Sequence, residues 1–216
     1  MTERLGPQFA HGIKKVHVGC GPHALISGWW NVDIRNFRGI DAVIDATEPW
    51  PYADLDFVFA EHFIEHLALD RGLTFLIHAG NSLRPGGIIR LSTPNLEWIV
   101  HTHFQTGLIE HGQRLMDTLR MNRAFHGWGH RFLYSKEMLV YVMQKVGYQN
   151  ITPCEYGQSL HPELNNLEKH GKFSLAGGFP SVIIVEAVRG QSALTLPIDL
   201  ARVINENYLR YVVAGH

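Results

Sequence analysis

Short runs of apolar, largely β-branched residues recur along the chain and are separated by more polar stretches. Runs of this length, bounded by glycine, proline and acidic residues, predict β-strands rather than helices. Seven of them occur, at Lys15–Val18, Trp30–Ile34, Ala42–Ile44, Phe57–Phe59, Ile88–Leu91, Ile151–Pro153 and Val182–Val188. The pattern therefore predicts a seven-stranded sheet.

Two stretches between the later strands repeat their apolar residues with helical spacing. Leu73 and Leu76 lie on one stripe of a predicted helix at Asp70–Leu83. Ser135 is a suitable N-cap for a second helix, and Gly147 suits the left-handed residue after its end. Helices that alternate with strands predict an α/β protein with a Rossmann-like, mostly parallel sheet.

Two connections, Pro22–Gly28 and Arg35–Ile40, are too short to hold a crossover helix. Because a parallel sheet is covered on both faces, we expect another segment to cover the face that these connections leave bare. The segment Pro197–Val213 has helical periodicity. We predict a C-terminal helix that either packs on the bare face, burying Ile204 and Tyr208, or forms the interface of a homodimer.

A helical insertion is predicted at residues 96–134, before the sixth strand. Insertions at this point lie above the carboxyl ends of the strands, where ligands bind, so we interpret it as a lid or substrate wall. Near its end, Trp128 is surrounded by His126, His130 and Arg131. This group offers either the aromatic wall, base and cation of an acceptor pocket or a polar loop around a buried tryptophan.

Composition narrows the classes of function. The 216 residues include 19 basic and 20 acidic ones, so no strong positive field attracts nucleic acid or an anionic membrane. No apolar run approaches the ~18 residues that span a bilayer, and the first residues lack the apolar core of a signal peptide. Two cysteines are too few for a disulfide framework. We expect one cytoplasmic domain, residues 1–216, without a nucleic-acid or membrane partner.

A glycine-rich loop follows the first strand, and an acidic residue lies at the end of each of the next two strands. Gly19, Cys20 and Gly21 let a ligand approach the backbone, and Asp33 can accept both hydroxyls of a ribose. Parallel strands end at one edge of a sheet, so these residues predict a site for a nucleotide-like cofactor. Purely structural alternatives are a strand-end cap for Asp33 and a turn residue for Asp45.

Five segments, in this order, resemble motifs of the class I S-adenosyl-L-methionine (SAM) dependent methyltransferases. Besides the glycine loop and Asp33, Ile44–Asp54 resembles the end of that family's third strand, Phe57–Leu67 the fourth-strand motif of its type 11 members, and Leu83–Gly87 the turn before its fifth strand. The similarity covers Lys15–Asn95 well. Later segments are more loosely similar to a bacterial subgroup with the same truncated loops.

The resemblance implies a SAM-dependent methyltransferase with S-adenosyl-L-methionine as its cofactor. The residues then expected to contact the cofactor are Gly19, Cys20, Gly21, Asp33, Ile34, Asp45, Ala46 and Glu61. His62 and His130 are the candidate catalytic bases. The methyl acceptor implied is an oxygen or nitrogen atom of a small molecule or glycan.

Two other functions remain open. His17 stands where the family usually carries an acidic residue that anchors the methionine amino group, and a neutral imidazole supplies no charge, which permits a non-catalytic SAM-binding subunit or sensor. His62, Glu65 and His66 also spell the H-x-x-E-H pattern of zinc hydrolases. That pattern needs a long helix and a third ligand, which the sequence does not supply, so we expect no metal and interpret His66 as a helix residue bonded to a local carbonyl.

Overall fold

The computed structural model describes residues 12, 14–105, 107, 110, 112–170 and 173–213. Its main sheet has seven strands, which confirms the predicted α/β architecture. Those seven are β1 (Lys15–Val18), β2 (Trp30–Asp33), β3 (Ala42–Val43), β4 (Leu55–Glu61), β5 (Leu83–Pro94), β6 (Tyr148–Pro153) and β9 (Val182–Arg189). Between β6 and β9 lies a small hairpin, β7 (Leu175–Ala176) with β8 (Phe179–Pro180), which the sequence analysis did not predict.

The strands are arranged in the order β3-β2-β1-β4-β5-β9-β6. The first five are mutually parallel, and β9 runs antiparallel between β5 and β6. The order of the strands reverses between the neighbours β1 and β4. In open α/β sheets the crevice at such a reversal, beyond the carboxyl ends of the strands, is where ligands bind.

The helices are α1 (Leu69–Ser82), α2 (Leu96–His103), α3 (Gln113–His126), α4 (Lys136–Val146) and α5 (Ile198–Ile204). The last continues through a π-helical turn (Asn205–Leu209) into Arg210–Val213. As predicted, Ser135 caps α4, accepting the Met138 N–H at 3.1 Å, and Gly147 ends it with a φ of 117°. None of the helices among the described residues has the length and hydropathy needed to cross a membrane.

One face of the sheet packs against α1, α4 and the C-terminal helix. Val58 of β4, Leu76 of α1 and Leu139 of α4 are fully buried in this layer. Leu200 and Ile204 of α5 belong to the same apolar cluster. The C-terminal helix thus buries Ile204, and it partly buries Tyr208 as well.

The C-terminal helix does not cover the bare face, so that prediction is wrong. Within Pro22–Gly28 and Arg35–Ile40, all of whose residues the structure describes, no helix forms. The C-terminal helix nevertheless packs on the opposite face of the sheet, beside α1 and α4, where Lys145 donates a hydrogen bond to Asp199 at 2.9 Å. The reason is that other residues already occupy the bare face.

The bare face is covered by two loops. Leu164 and Leu167, in the connection between β6 and β7, pack with Ile26 and Trp29 of the loop before β2. All four contact an apolar patch centred on Phe59 of β4, which is fully buried. A connection of this length crosses the sheet and replaces the missing crossover helices.

A buried ionic network fastens this connection to the sheet. Arg90 of β5 is fully buried, and its Nε donates to Glu168 at 2.7 Å while its Nη1 donates to Glu186 of β9 at 2.5 Å. Removing one member of such a network leaves an uncompensated buried charge, which is strongly destabilising. The network therefore holds the connection in place and carries the adjoining Lys169 and His170 to the carboxyl edge of the sheet.

Candidate active site

A cavity of about 210 Å³ lies at the carboxyl ends of β1, β2 and β3. Five of the predicted cofactor residues line it, namely Gly19, Asp33, Ile34, Asp45 and Ala46. The other lining residues are Val18, Val32, Ile44, Phe63, Leu67 and His66. The structure thus brings the strand-end residues together in one cavity, which has carboxylates at its polar side and largely apolar walls.

The loop after β1 needs glycine for two physical reasons. Gly19 and Gly21 have φ angles of 65° and 55°, a left-handed conformation that other residues adopt only with strain. A Cβ on Gly19 would also overlap the ring of Phe63. Cys20 is buried in the loop outside the cavity lining, and burial raises the pKa of its thiol to about 11, so the sulfur stays protonated at neutral pH.

Asp33 is held by the protein and still lines the cavity. Its Oδ2 accepts the Gly21 N–H at 3.1 Å, and its Oδ1 accepts the Arg35 N–H at 2.9 Å. Each carboxylate oxygen has two acceptor positions, so Oδ2 retains one for a ligand hydroxyl. The strand-end role and the ligand-binding role are therefore compatible at this residue.

Asp45 forms a turn, as the structural alternative predicted. Its Oδ1 accepts the Thr47 N–H at 2.9 Å and the Thr47 hydroxyl at 2.6 Å, while Oδ2 accepts from Arg71 at 3.2 Å. The Thr47 hydrogen bonds lower the pKa of Asp45, with a smaller contribution from the charge of Arg71. The turn keeps an ionised carboxylate at the edge of the 210 Å³ cavity.

A second, larger cavity of about 720 Å³ lies between the sheet edge and the helical insertion. Its lining includes five histidines, His62, His66, His103, His130 and His170, together with Trp98, Trp128 and Arg123. His66 lines both cavities, so the two spaces meet at this side chain. Trp128 is 70% exposed at the rim, which contradicts the alternative of a loop around a buried tryptophan.

His62 begins a tight turn in place of the helix that a zinc hydrolase requires. It has a φ of 47°, and the residues after it form a short 3-10 helix at Ile64–His66. Its Nδ1 lies 3.0 Å from Oε1 of Glu65, whose Oε2 accepts from Thr93 at 2.9 Å. Burial lowers the pKa of His62, but the hydrogen bond to Glu65 and the neighbouring carboxylate charges outweigh it and leave the pKa raised.

His66 is a helix residue as predicted, at the end of the 3-10 helix, but the predicted bond of its ring to a local carbonyl is wrong. Its ring faces the cavities, with Nε2 at 4.0 Å from Oε1 of Glu65. The ring centroid of His130 lies 5.2 Å from that of His66. The cause is the 3-10 turn, which directs His66 away from the path an α-helix would give it.

Glu61 lines neither cavity. Its buried carboxylate accepts the backbone N–H groups of Lys169 at 2.9 Å and His170 at 3.0 Å, and Nδ1 of His170 lies 2.9 Å from Oε2. The ring of His170 is thereby set 5.4 Å from that of His62. We therefore assign Glu61 to holding His170 at the larger cavity, in place of the cofactor contact predicted for it.

Several lining residues lay outside the sequence predictions, chiefly Phe63 at the smaller cavity and Trp98, His103 and Arg123 at the larger one. The sequence indicated part of the larger site through the grouping of His130 with Trp128, and the abundance of histidine, 14 residues in all, is a second signal. The residues come from separate elements and share no sequence period. His17, in contrast, lines neither cavity, because it is buried against Asn31 and Phe59.

Comparison with known proteins agrees with this fold. No protein-family profile and no curated protein matches the sequence. A SAM-dependent methyltransferase from Thermotoga maritima, titled a possible histamine N-methyltransferase, matches with a TM-score of 0.51 at 17% identity over 82% of this chain and 81% of that one. A SAM-dependent methyltransferase from Archaeoglobus fulgidus matches with a TM-score of 0.50 at 18% identity, over 82% and 86% of the two chains.

A third structure, the methyltransferase SibL in its apo form, matches 69% of this chain at 14% identity and a TM-score of 0.42. The match covers 35% of SibL, so this chain spans about a third of that protein's length. The two fuller matches define the class of fold. The chain has the seven-stranded fold of the class I SAM-dependent methyltransferases, as its sequence motifs predicted.

Proposed function

We propose that this protein is a SAM-dependent methyltransferase. One observation carries the proposal: the 210 Å³ cavity combines a carboxylate at the end of β2 with apolar walls, and it meets a larger cavity at His66. A nucleoside presents ribose hydroxyls and an apolar base, and the lining residues offer a partner for each. The similarity in fold to the two methyltransferases supports the same conclusion.

The residues of the smaller cavity fit SAM in chemistry. The free acceptor position of Asp33 suits a ribose hydroxyl, and Ile34, which is 65% exposed, offers apolar contact to an adenine ring. Asp45 and Ala46 line the same cavity, and their oxygen atoms are suitable acceptors for the exocyclic amine of adenine. When bound, SAM supplies an electrophilic methyl group on a sulfonium sulfur.

The larger cavity is proposed to bind the acceptor, an oxygen or nitrogen atom of a small molecule or glycan. Its aromatic and aliphatic walls exclude water and position the acceptor, which is the main requirement of an in-line displacement. His62 is the proposed base, because Glu65 fixes its ring through Nδ1 and leaves Nε2 for the proton of the acceptor. The second predicted base, His130, has its ring 5.2 Å from that of His66 and its Nδ1 bonded to the Ala124 carbonyl.

The test is calorimetric titration of the protein with SAM and with S-adenosylhomocysteine, in buffer containing EDTA. We expect both to bind without metal. Asp33→Ala removes a charge-assisted hydrogen bond worth ~1.5–3 kcal/mol, so the affinity falls ~10–100-fold. The matched control is Asp56→Ala, which removes a carboxylate near the amino end of β4, where it pairs with Arg84 on the surface.

Asp33 also accepts two backbone N–H groups, so the thermal melt of each variant is recorded beside the titration. A folded Asp33→Ala variant with unchanged affinity would assign this carboxylate to structure alone. Failure of the folded wild-type protein to bind either compound would overturn the proposed function itself.

A further inference from the structure

We propose that Glu65, His66 and His130 form a binding site for a divalent cation of the zinc class at the wall of the larger cavity. One ligand atom from each residue lies within 4.8 Å of the other two, and Nε2 of His66 is 4.0 Å from Oε1 of Glu65. In a tetrahedral site with metal–ligand bonds of ~2.0–2.2 Å the ligand atoms lie ~3.3–3.6 Å apart, up to about 1 Å closer than these atoms lie without the metal. Small rotations of these side chains therefore close the site.

Further hydrogen bonds orient two of the three ligands. Nδ1 of His130 lies 2.7 Å from the carbonyl oxygen of Ala124, an arrangement that makes Nδ1 the donor and leaves Nε2 unprotonated for a metal. The carboxylate of Glu65 is held at Oε1 by His62 and at Oε2 by Thr93. A carbonyl or hydroxyl behind each ligand is the usual outer shell of a protein metal site.

The backbone also brings His130 to Glu65 independently of any metal. The N–H groups of Arg131 and Phe132 donate to the carbonyl oxygen of Glu65, at 2.7 and 3.1 Å. These bonds fix the end of the helical insertion against the 3-10 turn that carries Glu65 and His66. The third ligand that the sequence did not reveal is thus supplied by a segment remote in the chain.

The charge balance around Glu65 favours a cation. Its side chain is fully buried, and within the described part of the chain its ion-pair partners are the imidazoles of His62 and His66. A buried carboxylate is costly unless a positive charge compensates it. A divalent cation held between Glu65 and two neutral imidazoles provides that charge.

The donor set and its surroundings indicate what such a cation does. Two imidazoles and one carboxylate are three protein ligands, the number found in catalytic zinc sites that keep an open position. His66 and His130 both line the 720 Å³ cavity, so the open position faces the space proposed for the acceptor. We infer that the cation binds an oxygen of the acceptor there; this role rests on the proposed methyl transfer, whereas metal binding itself does not.

The experiment uses tag-free protein, stripped with EDTA and then titrated with ZnCl₂. We expect one zinc ion per chain by elemental analysis after dialysis. When Co²⁺ replaces zinc, we expect the visible absorption spectrum that is typical of a Co²⁺ ion of low coordination number. His66→Gln and His130→Gln each remove a direct ligand, so we expect the affinity to fall by more than the ~10–100-fold that loss of an outer-shell partner causes. The control, His126→Gln, removes an exposed histidine of α3 and keeps the wild-type affinity.

Substoichiometric zinc in the wild-type protein would overturn the site. Equal loss of zinc from the His126→Gln control would do the same, because it would assign the binding to scattered surface histidines. Thermal melts in EDTA establish that the His66 and His130 variants are folded. SAM titration in EDTA reports on the cofactor cavity alone, so a failed metal site and a failed methyltransferase assignment give different results.

Discussion

At the scale of single residues, His17 is where this chain departs from the family it resembles, and the structure gives that residue a packing role. The residue is 2% exposed, its Nδ1 lies 3.2 Å from Oδ1 of Asn31, and its ring centroid lies 5.2 Å from that of Phe59. Burial lowers the pKa of His17 to about 4, although the Asn31 hydrogen bond and the charge of Glu61 act in the opposite direction. The imidazole is therefore neutral at pH 7.

This burial makes the stability of the fold depend on pH. An unfolded chain protonates His17 near pH 6.5, whereas the folded chain does so near pH 4. Neutral His17 makes its full contribution to the free energy of unfolding above pH 6.5. This contribution falls by about 3 kcal/mol as the pH drops to 4. Urea denaturation measures how far the free energy of unfolding falls between pH 7 and pH 4.5. This fall is expected to be about 2–3 kcal/mol smaller for His17→Gln than for the wild type.

His126→Gln serves as the control for this comparison, because that histidine is exposed. It is expected to keep the pH dependence of the wild type. Parallel dependences for the wild type and His17→Gln would show that the buried ring does not resist protonation.

At the scale of elements, the sequence predicted what depends on local pattern. All seven strands of the sheet were located, because a run of apolar, largely β-branched residues can be recognised without knowing which strands pair with it. Strand β5 extends beyond its predicted run, from Leu83 to Pro94, because Leu83 pairs with Leu55 of β4 and Pro94 pairs with Val182 of β9. The β7–β8 hairpin was missed because its two-residue strands, Leu-Ala and Phe-Pro, contain no β-branched residue.

The same distinction applies to the candidate site. The carboxyl ends of parallel strands meet at one edge, so Asp33 and Asp45 could be placed together from the sequence. The larger cavity could not be predicted in this way, because its residues extend from His62 to Ser181 along the chain and are brought together by a loop and an insertion. The direction in which Glu61 points is also a tertiary property, fixed by its bonds to the backbone of Lys169 and His170.

Alanine substitutions in the glycine loop after β1 distinguish the cost of backbone strain from the cost of side-chain overlap. Gly19→Ala introduces a Cβ that overlaps the Phe63 ring, at a position whose φ is already left-handed. Gly21→Ala meets no atom within 4 Å and has a similar φ, so it isolates the backbone strain. We expect Gly21→Ala to cost ~1–2 kcal/mol of unfolding free energy, and Gly19→Ala to cost a further ~1–3 kcal/mol.

Urea denaturation of the two variants measures this difference. Because Phe63 also lines the smaller cavity, a displaced ring in Gly19→Ala is expected to weaken SAM binding more than Gly21→Ala does. Equal stabilities for the two variants would show that Phe63 moves aside without cost.

At the scale of the whole molecule, the two faces of the sheet are covered by different means. One face carries the ionic network of Arg90 and two loops, and the other is packed with helices. The segment after β9 joins the helical side through two hydrogen bonds between Asn81 of α1 and the backbone of Leu194, at 3.0 and 2.8 Å. The C-terminal helix then adds Leu200 and Ile204 to the core and sets the ring of Tyr208 5.3 Å from that of Phe132.

This packing makes the C-terminal helix part of the core. Leu200 is 1% exposed, so Leu200→Ala leaves a cavity and is expected to lower the free energy of unfolding by ~2–5 kcal/mol. Val203, on the same helix, is 44% exposed, and Val203→Ala is expected to change the free energy by less than ~0.5 kcal/mol. Thermal and urea unfolding measure the stabilities of Leu200→Ala and Val203→Ala. Truncation after Arg189 removes the whole C-terminal segment and should leave an aggregating or strongly destabilised protein. If Leu200→Ala and the truncated chain both unfold at the same temperature and urea concentration as the wild type, the helix is an appendage and the core is complete without it.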